Sequence, residues 1–489
     1  MDSLQNVIAL DLFLTAGCIL VLLRHGRISA THPAASYLFF HIYTVTTRLW
    51  AISRGAPTLF SWGFPFDPVR QEEIVRAALL MDAALVIMTV AWILASHRDL
   101  RNHGPQPEPN QLPPGDLSKK YIWFVVTFAL PIGFVAMFYF TSIPGVAVTA
   151  DFGAWSQSSW LAILPGWFGL SLLALIYWYG LRKPLVLLMI VYLALMAYQG
   201  YGRFRVLIPI ILLTQIYLDR KNRRWPTASV AIVLVIVALL FFPLKSIGRG
   251  FQEGRPVSEI SALSGEIISD ALVAKAGDQM FLDMFASALT LADLKGEVFL
   301  GKPYLSLVTL PIPRALWPDK PSLAEYLFDI STSWRPMAQG GMIVTYLGEA
   351  YLNFRYLGII FVPFLLAYVL ARMYFRAYRH NYYSVFHFAY LLIAANLIQI
   401  YRDGLLSLVI FTFVNMMPLM AIIALHLIWP ISGSRSTRRR KRVYWQTEPA
   451  PAAKGVGMLP PTSKTMPGAS DMPVSVTSIS RATPPSRHH

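Results

Sequence analysis

Cysteine is all but missing from this sequence: Cys18 is the single one among 489 residues, and it lies in the first apolar run. A disulfide framework and a cysteine-based metal site are therefore excluded. Charge is scarce too, at 14% of residues, against the ~25% usual for a soluble domain. No basic region precedes the first apolar run and no small-residue cleavage pattern follows it, so this run reads as a retained helix rather than a cleaved signal. Several chemistry-bearing motifs are also missing. There is no GxxxxGK[ST] phosphate loop, no HExxH and no GxSxG. No DxD-like pair stands in a predicted outer loop, so a metal–diphosphate site is not indicated. No internal repeat is visible, unlike many transporters.

What is present is hydrocarbon, at 55% hydrophobic residues with 13% aromatic. Apolar runs recur along most of the chain, many near the ~20 residues that cross ~30 Å of bilayer core. The runs are continuous rather than alternating, which excludes a β-barrel. The expected fold class is an all-α, polytopic integral membrane protein of about 11 spans. The spans are placed near 4–23, 33–52, 74–95, 121–140, 160–179, 184–199, 204–218, 227–242, 356–374, 385–400 and 405–429. The chain divides accordingly into an eight-span bundle (1–242), a large late outer loop domain (243–339), a re-entrant helix with the last spans (340–430), and a basic, then disordered, tail (431–489).

The net charge of +16 suggests nucleic acid at first sight. Its distribution argues otherwise, because Lys and Arg gather in short loops on one predicted side and in the tail. That bias orients membrane proteins. It places the N-terminus outside and the C-terminus inside, with a lipid bilayer and no nucleic acid as partner. The RRRKR run beside the last span reads as a topology signal or as a contact for anionic lipid.

Ionisable groups within hydrocarbon are costly and are usually paired or functional. Asp11, His41, Arg48 and Asp82 fall in predicted spans. Asp11 and Arg48 sit at similar depth on adjacent spans, which predicts either a structural ion pair or the lining of an outer cavity; His41 reads as a hydrogen-bonded packing residue. Arg203 and Arg205 lie in GYGRFR, between two short helices. They either snorkel to lipid head groups or grip phosphate oxygens in bidentate fashion. The outer segment gathers Lys245, Arg249 and Arg255 directly after the eighth span. Asp278 and Gln279 lie in AKAGDQMF. Arg314, Trp317 and Lys320 lie in IPRALWPDKP, which three prolines make rigid and extended. That stretch reads as a structural loop or as an edge offering an aromatic face to a pyranose and cations to a diphosphate. Tyr346, Glu349 and Asn353 fall at helical spacing and share a face. They belong to a helix that either dips into the membrane from outside or begins a long ninth span. Glu349 is a base or acceptor-binding residue, or else is neutralised by an arginine such as Arg314 or Arg402. Arg402 and Asp403 occupy a tight outer turn, YRDG.

The stretch GKPYLSLVTLPIPRALWPDKP, followed by GGMIVTYLGEAYLNFRYLG, by YRDG and preceded by GYGRFR, resembles the Wzy-type O-antigen and oligosaccharide repeat-unit polymerases. The likeness covers about 198–405; the N-terminal third is similar only in hydropathy. Where such family members carry a glycine after the NF, this chain has Arg355. The resemblance implies a metal-independent, cofactor-free, inverting membrane glycosyltransferase of the GT-C-like kind. It would join undecaprenyl-diphosphate-linked oligosaccharide repeats at the periplasmic face of a bacterial inner membrane, alongside a chain-length regulator and a flippase. Glu349, Asp278 and Arg314 are then the expected catalytic residues. Arg203, Arg205, Arg249, Lys320 and Arg402 would bind the diphosphate, and Trp317, Tyr346, Asn353 and Asp403 the sugars. Three other readings compete. A lipid-linked sugar ligase is disfavoured because 245–353 contains no histidine. A flippase or transporter of lipid-linked oligosaccharides would need a polar path through both leaflets. The last is a structural subunit of an export system.

Overall fold

The computed structural model describes residues 2–26, 28–58, 69–102, 116–141, 164–198, 204–272, 280–296, 298–304, 317, 345–380, 384–405 and 416–425. All lie within one compact unit, Met1–Pro430. The described residues are helical, with no strand among them. The tail predicted for 431–489 lies outside them.

The helices follow the apolar runs. They are α1 (Asp2–Val21), α2 (Pro33–His41), α3 (Thr47–Ser53), α4 (Gln71–Asn102), α5 (Asp116–Phe124), α6 (Leu130–Thr141), α7 (Leu164–Tyr179) and α8 (Lys183–Tyr198). Then come α9 (Phe204–Arg220), α10 (Ala228–Phe241), α11 (Leu244–Gln252), α12 (Val257–Leu272), α13 (Phe281–Lys295), α14 (Tyr346–His380), α15 (Val385–Asp403) and α16 (Met416–Leu425). Wider π-helical turns extend α1 through Leu22–Gly26 and join α2 to α3 and α5 to α6. Five helical stretches are long and apolar enough to cross a membrane: Leu4–His25, Gln71–His97, Leu117–Tyr139, Tyr346–Tyr378 and Val385–Asp403. A sixth arises if the 60° bend after Ala228–Phe241 joins it to Ser246–Gln252 as one span. Several helices expected to span are shorter, at 16 residues for α7 and α8 and 17 for α9.

The helices present apolar surface outward as well as inward. Phe13 is 75% exposed and α10 has no buried residue at all. A soluble monomer rarely exposes so much continuous hydrocarbon; a bilayer covers it without penalty. Helix association in lipid rests on close packing and buried polar contacts rather than on a hydrophobic drive. Both are seen. Gly133 of α6 lies against the backbone of Phe168 on α7, so close that any Cβ there would collide. On α1 and α4, which run in the same direction, Asp11 lies near Asp82, Cys18 near Thr89, and His25 beside His97 at 6.3 Å between rings.

Hydrogen bonds sort the helix ends into two groups. At one end, rich in Lys and Arg, Ala30 N donates to Arg224 O (2.8 Å) and Tyr390 OH to Thr31 O (2.6 Å). The Tyr378 hydroxyl bridges Thr31 Oγ1 (2.8 Å) and Asp219 (2.9 Å), and Tyr177 OH meets His387 Nδ1 (2.8 Å). His32, buried there, has its imidazole pushed down to about 3, so it is neutral and its Nδ1 accepts from Ala34 N to cap α2. This basic end collects the finish of α1, α7, α9 and α14 with the start of α2 and α15. The opposite end carries charges of both signs, including Arg76, Asp293, Arg355, Arg402 and Asp403.

α13 comes from the segment expected to form an outer domain, yet Phe281, Leu282, Phe285 and Ala286 are fully buried in the main core. Its Asp283 holds Arg48 in a fork, with Arg48 Nε at 2.9 Å from one oxygen and Nη2 at 2.7 Å from the other. Arg48 also donates to Pro57 O at 2.6 Å. This corrects the pairing expected between Asp11 and Arg48. Asp11 instead bonds His41 Nε2 at 2.9 Å, and Asp82 lies 3.2 Å from the same nitrogen.

Candidate functional site

The mixed-charge end is built where α9, α13, α14 and α15 meet. Arg402 lies in the last turn of α15, two residues before Gly404, whose φ of +101° lets the chain turn away. Its guanidinium sits over two rings, Phe204 at 4.9 Å and Phe281 at 5.4 Å. A cation over an aromatic face is held by the ring quadrupole. Asp403 Oδ1 lies 3.3 Å from Arg402 Nε. Phe204 opens α9 and is followed by Arg205, which is half-buried. Three stretches far apart in sequence, the start of α9 at Phe204, the start of α13 at Phe281 and the end of α15, therefore come together around Arg402.

Beneath them lies an aromatic floor. The Tyr401 ring is 5.0 Å from Tyr37 and 5.6 Å from Tyr346, and Tyr346 OH donates to Tyr37 OH at 2.7 Å. Tyr346 is fully buried.

Glu349 and Asn353 follow on the same face of the first part of α14, both buried. Asn353 is engaged with backbone: its Nδ2 donates to Glu349 O (2.8 Å) and its Oδ1 accepts from Gly301 N (3.1 Å). Phe299 N and Leu300 N donate to Leu352 O and Asn353 O. These bonds fix the GKPY turn on α14 and set Tyr304 beside Glu349. Burial first, then the neighbouring Glu349 carboxylate, pushes the Tyr304 phenol well up, so it stays protonated.

α14 is two helices. Arg355 has φ 54° and ψ −137°, a conformation glycine adopts readily and other residues seldom do. Residues eight apart in a straight helix are ~12 Å apart along its axis. Here a Cβ on Gly358 would collide with the Ala350 carbonyl, so the chain folds back at Arg355. The buried segment 346–353 thus lies alongside the span that follows it, rather than continuing into it. The turn is clamped from outside. Arg355 Nη2 donates to Ala292 O (2.6 Å) and Nη1 pairs with Asp293 (3.1 Å). Arg76 pairs with the same carboxylate and donates to Tyr351 OH (2.8 Å) and Tyr356 OH (2.7 Å).

Of the residues expected at the site, Arg402 and Asp403 lie together at this end, Arg205 follows Phe204 on α9 and acts on Tyr192 of α8, and Tyr346, Glu349 and Asn353 line the buried helix beneath. Arg249 is exposed on α11, whose Gln252 donates to Tyr198 O (2.6 Å), beside GYGRFR in sequence. Trp317 is exposed. Arg203, Asp278, Arg314 and Lys320 lie outside the described residues. Sequence reasoning passed over the Arg76–Asp293–Arg355 clamp. Its one signal was Arg355 itself, standing where the resembled family has glycine. Compared with known proteins, the chain matches no family model, no curated protein and no solved structure.

Proposed function

We infer that this chain is a polysaccharide polymerase of a bacterial inner membrane, joining undecaprenyl-diphosphate-linked oligosaccharide repeats by inverting glycosyl transfer. In this reading the mixed-charge end faces the periplasm, the basic end faces the cytoplasm, and about eleven helical segments cross or enter the bilayer with the N-terminus outside. The neighbourhood of Arg402 supports it: Phe204, from the GYGRFR stretch expected to supply cations, packs against Arg402 of YRDG although the two are far apart in sequence.

The chemistry needs what this end offers. An acceptor hydroxyl attacks the anomeric carbon, the carbon–oxygen bond to the lipid diphosphate breaks, and the diphosphate leaves with its charge increased. Arg205 and Arg402, with Arg203, Arg314 and Lys320, would stabilise that charge. The proton of the attacking hydroxyl passes to a carboxylate, Glu349 or Asp278. Tyr304 beside Glu349 keeps its own proton and would orient the carboxylate by a hydrogen bond. Arg402→Ala and Arg205→Ala should each lower the rate of chain extension by about 100-fold, the range seen when one electrostatic stabiliser is removed. Chain extension from a purified lipid-linked repeat, followed as a ladder on a gel, measures this. Full activity in both variants would remove the basis for the reading.

A further inference from the structure

One buried cluster takes no part in that chemistry. Asp11 of α1, His41 of α2 and Asp82 of α4 meet inside the bundle, with the side chains of Asp11 and His41 fully buried and that of Asp82 2% exposed. Among the described residues they are the one group of His, Cys, Asp or Glu whose ligand atoms lie close enough to hold a metal ion, all within 4.8 Å of one another.

Charge counting shows that two ionised carboxylates here are balanced only by a bound cation or by further protons. Two carboxylates face one imidazole. With both carboxylates ionised and the imidazole protonated, one negative charge remains in a buried site, which is costly. Hydrogen bonding is incomplete as well. His41 Nε2 faces both carboxylates, yet carries at most one proton. Asp11 Oδ2 and both oxygens of Asp82 are buried without a hydrogen-bond partner. The Thr46 hydroxyl stands next to Asp11, on the π-helical turn that begins directly after His41. Such turns recur at functional sites, because the wider turn re-aims side chains.

The geometry points to a divalent metal ion bound by Asp11, His41 and Asp82, with the Thr46 hydroxyl as a further donor. A neutral imidazole, two carboxylates and a doubly charged ion sum to zero. Nitrogen and oxygen ligands at ~2.1 Å from a first-row ion stand roughly 3.0–3.4 Å from each other. The His41 nitrogen already lies 2.9 Å and 3.2 Å from the two carboxylate oxygens. Imidazole with carboxylate suits Zn²⁺, Mn²⁺ or Co²⁺ rather than the soft ions that thiolates select. With no solvent access, the ion cannot reach a diphosphate. It ties α1, α2 and α4 together, and it holds or fails independently of the polymerase reading.

The test uses the full-length protein in nanodiscs, stripped with a chelator, then incubated with Zn²⁺ or with Co²⁺ as a spectroscopic probe. Elemental analysis should give one ion per chain, Co²⁺ should show ligand-field bands, and Zn²⁺ should raise the thermal midpoint. His41→Asn and Asp82→Asn should lose all three, while the exposed-site control Glu253→Gln keeps them. If the wild-type protein takes up no stoichiometric metal, the cluster holds a proton only and the proposal is overturned. Equal uptake by wild type and both cluster variants overturns it too. The wild-type measurement decides the matter even if a variant fails to fold.

Discussion

At the scale of single residues, Arg48 shows how strongly context sets the role of a charge. It is fully buried, and Asp283 holds it by two hydrogen bonds. Removing one member of such a pair strands the other in a medium that cannot solvate it. Arg48→Ala should therefore destabilise the protein by about 3–5 kcal/mol. The double variant Arg48→Met, Asp283→Leu should recover much of that loss in a detergent unfolding series. Asp219 gives a pH signature. It lies in the last turn of α9, past the apolar stretch, and burial raises its carboxyl to about 8 despite the Tyr378 hydrogen bond. An unfolded aspartate titrates near ~3.9. The folded form thus binds the proton more tightly, and stability falls as pH rises from the unfolded value through about 8. Wild-type protein should lose thermal midpoint between acid and mildly alkaline buffer, and Asp219→Asn should flatten that slope. The sequence placed Asp11, Arg48 and Asp82 correctly as groups inside apolar runs. It could not pair them, because Asp283 is 235 residues from Arg48 and no local pattern links the two.

At the scale of elements, α14 is the informative case. The spacing of Tyr346, Glu349 and Asn353 predicts one helical face, and the structure has it. Hydropathy alone reads 346–378 as one apolar stretch. The fold-back depends instead on a single backbone angle at Arg355 and on the lack of a side chain at Gly358, neither of which changes hydropathy. Gly358→Ala places a methyl group into the Ala350 carbonyl and should prevent the fold-back. The expected outcome is a sharp loss of folded protein by fluorescence-detected size exclusion. Arg355→Gly should fold, since glycine accepts that conformation, but it gives up the contacts with Asp293 and Ala292. The π-helical turns that follow α1 and that join α2 to α3 likewise left no mark on the apolar pattern, because they alter twist and not composition.

At the scale of the whole molecule, apolar runs and basic loops made the helical membrane class readable. The structure agrees on helices long and apolar enough to span. It also brings the basic loops together at one end, as in the bond from Ala30 to Arg224. The site was harder to see. Phe204 and Arg402 meet only because α9 and α15 are neighbours, and a single chain carries no signal of that pairing. If the basic end is cytoplasmic, a cysteine placed at Asn222 should be shielded from an impermeant thiol reagent in intact cells, and one at Gln252 should react. The buried Cys18 gives the background. The most direct measurement reconstitutes the purified protein in liposomes with a fluorescent lipid-linked repeat. The account predicts repeats joined into longer chains, with free lipid diphosphate released and with joining lost in Arg402→Ala. Transfer of unjoined repeats from one leaflet to the other, without chain growth, would contradict it.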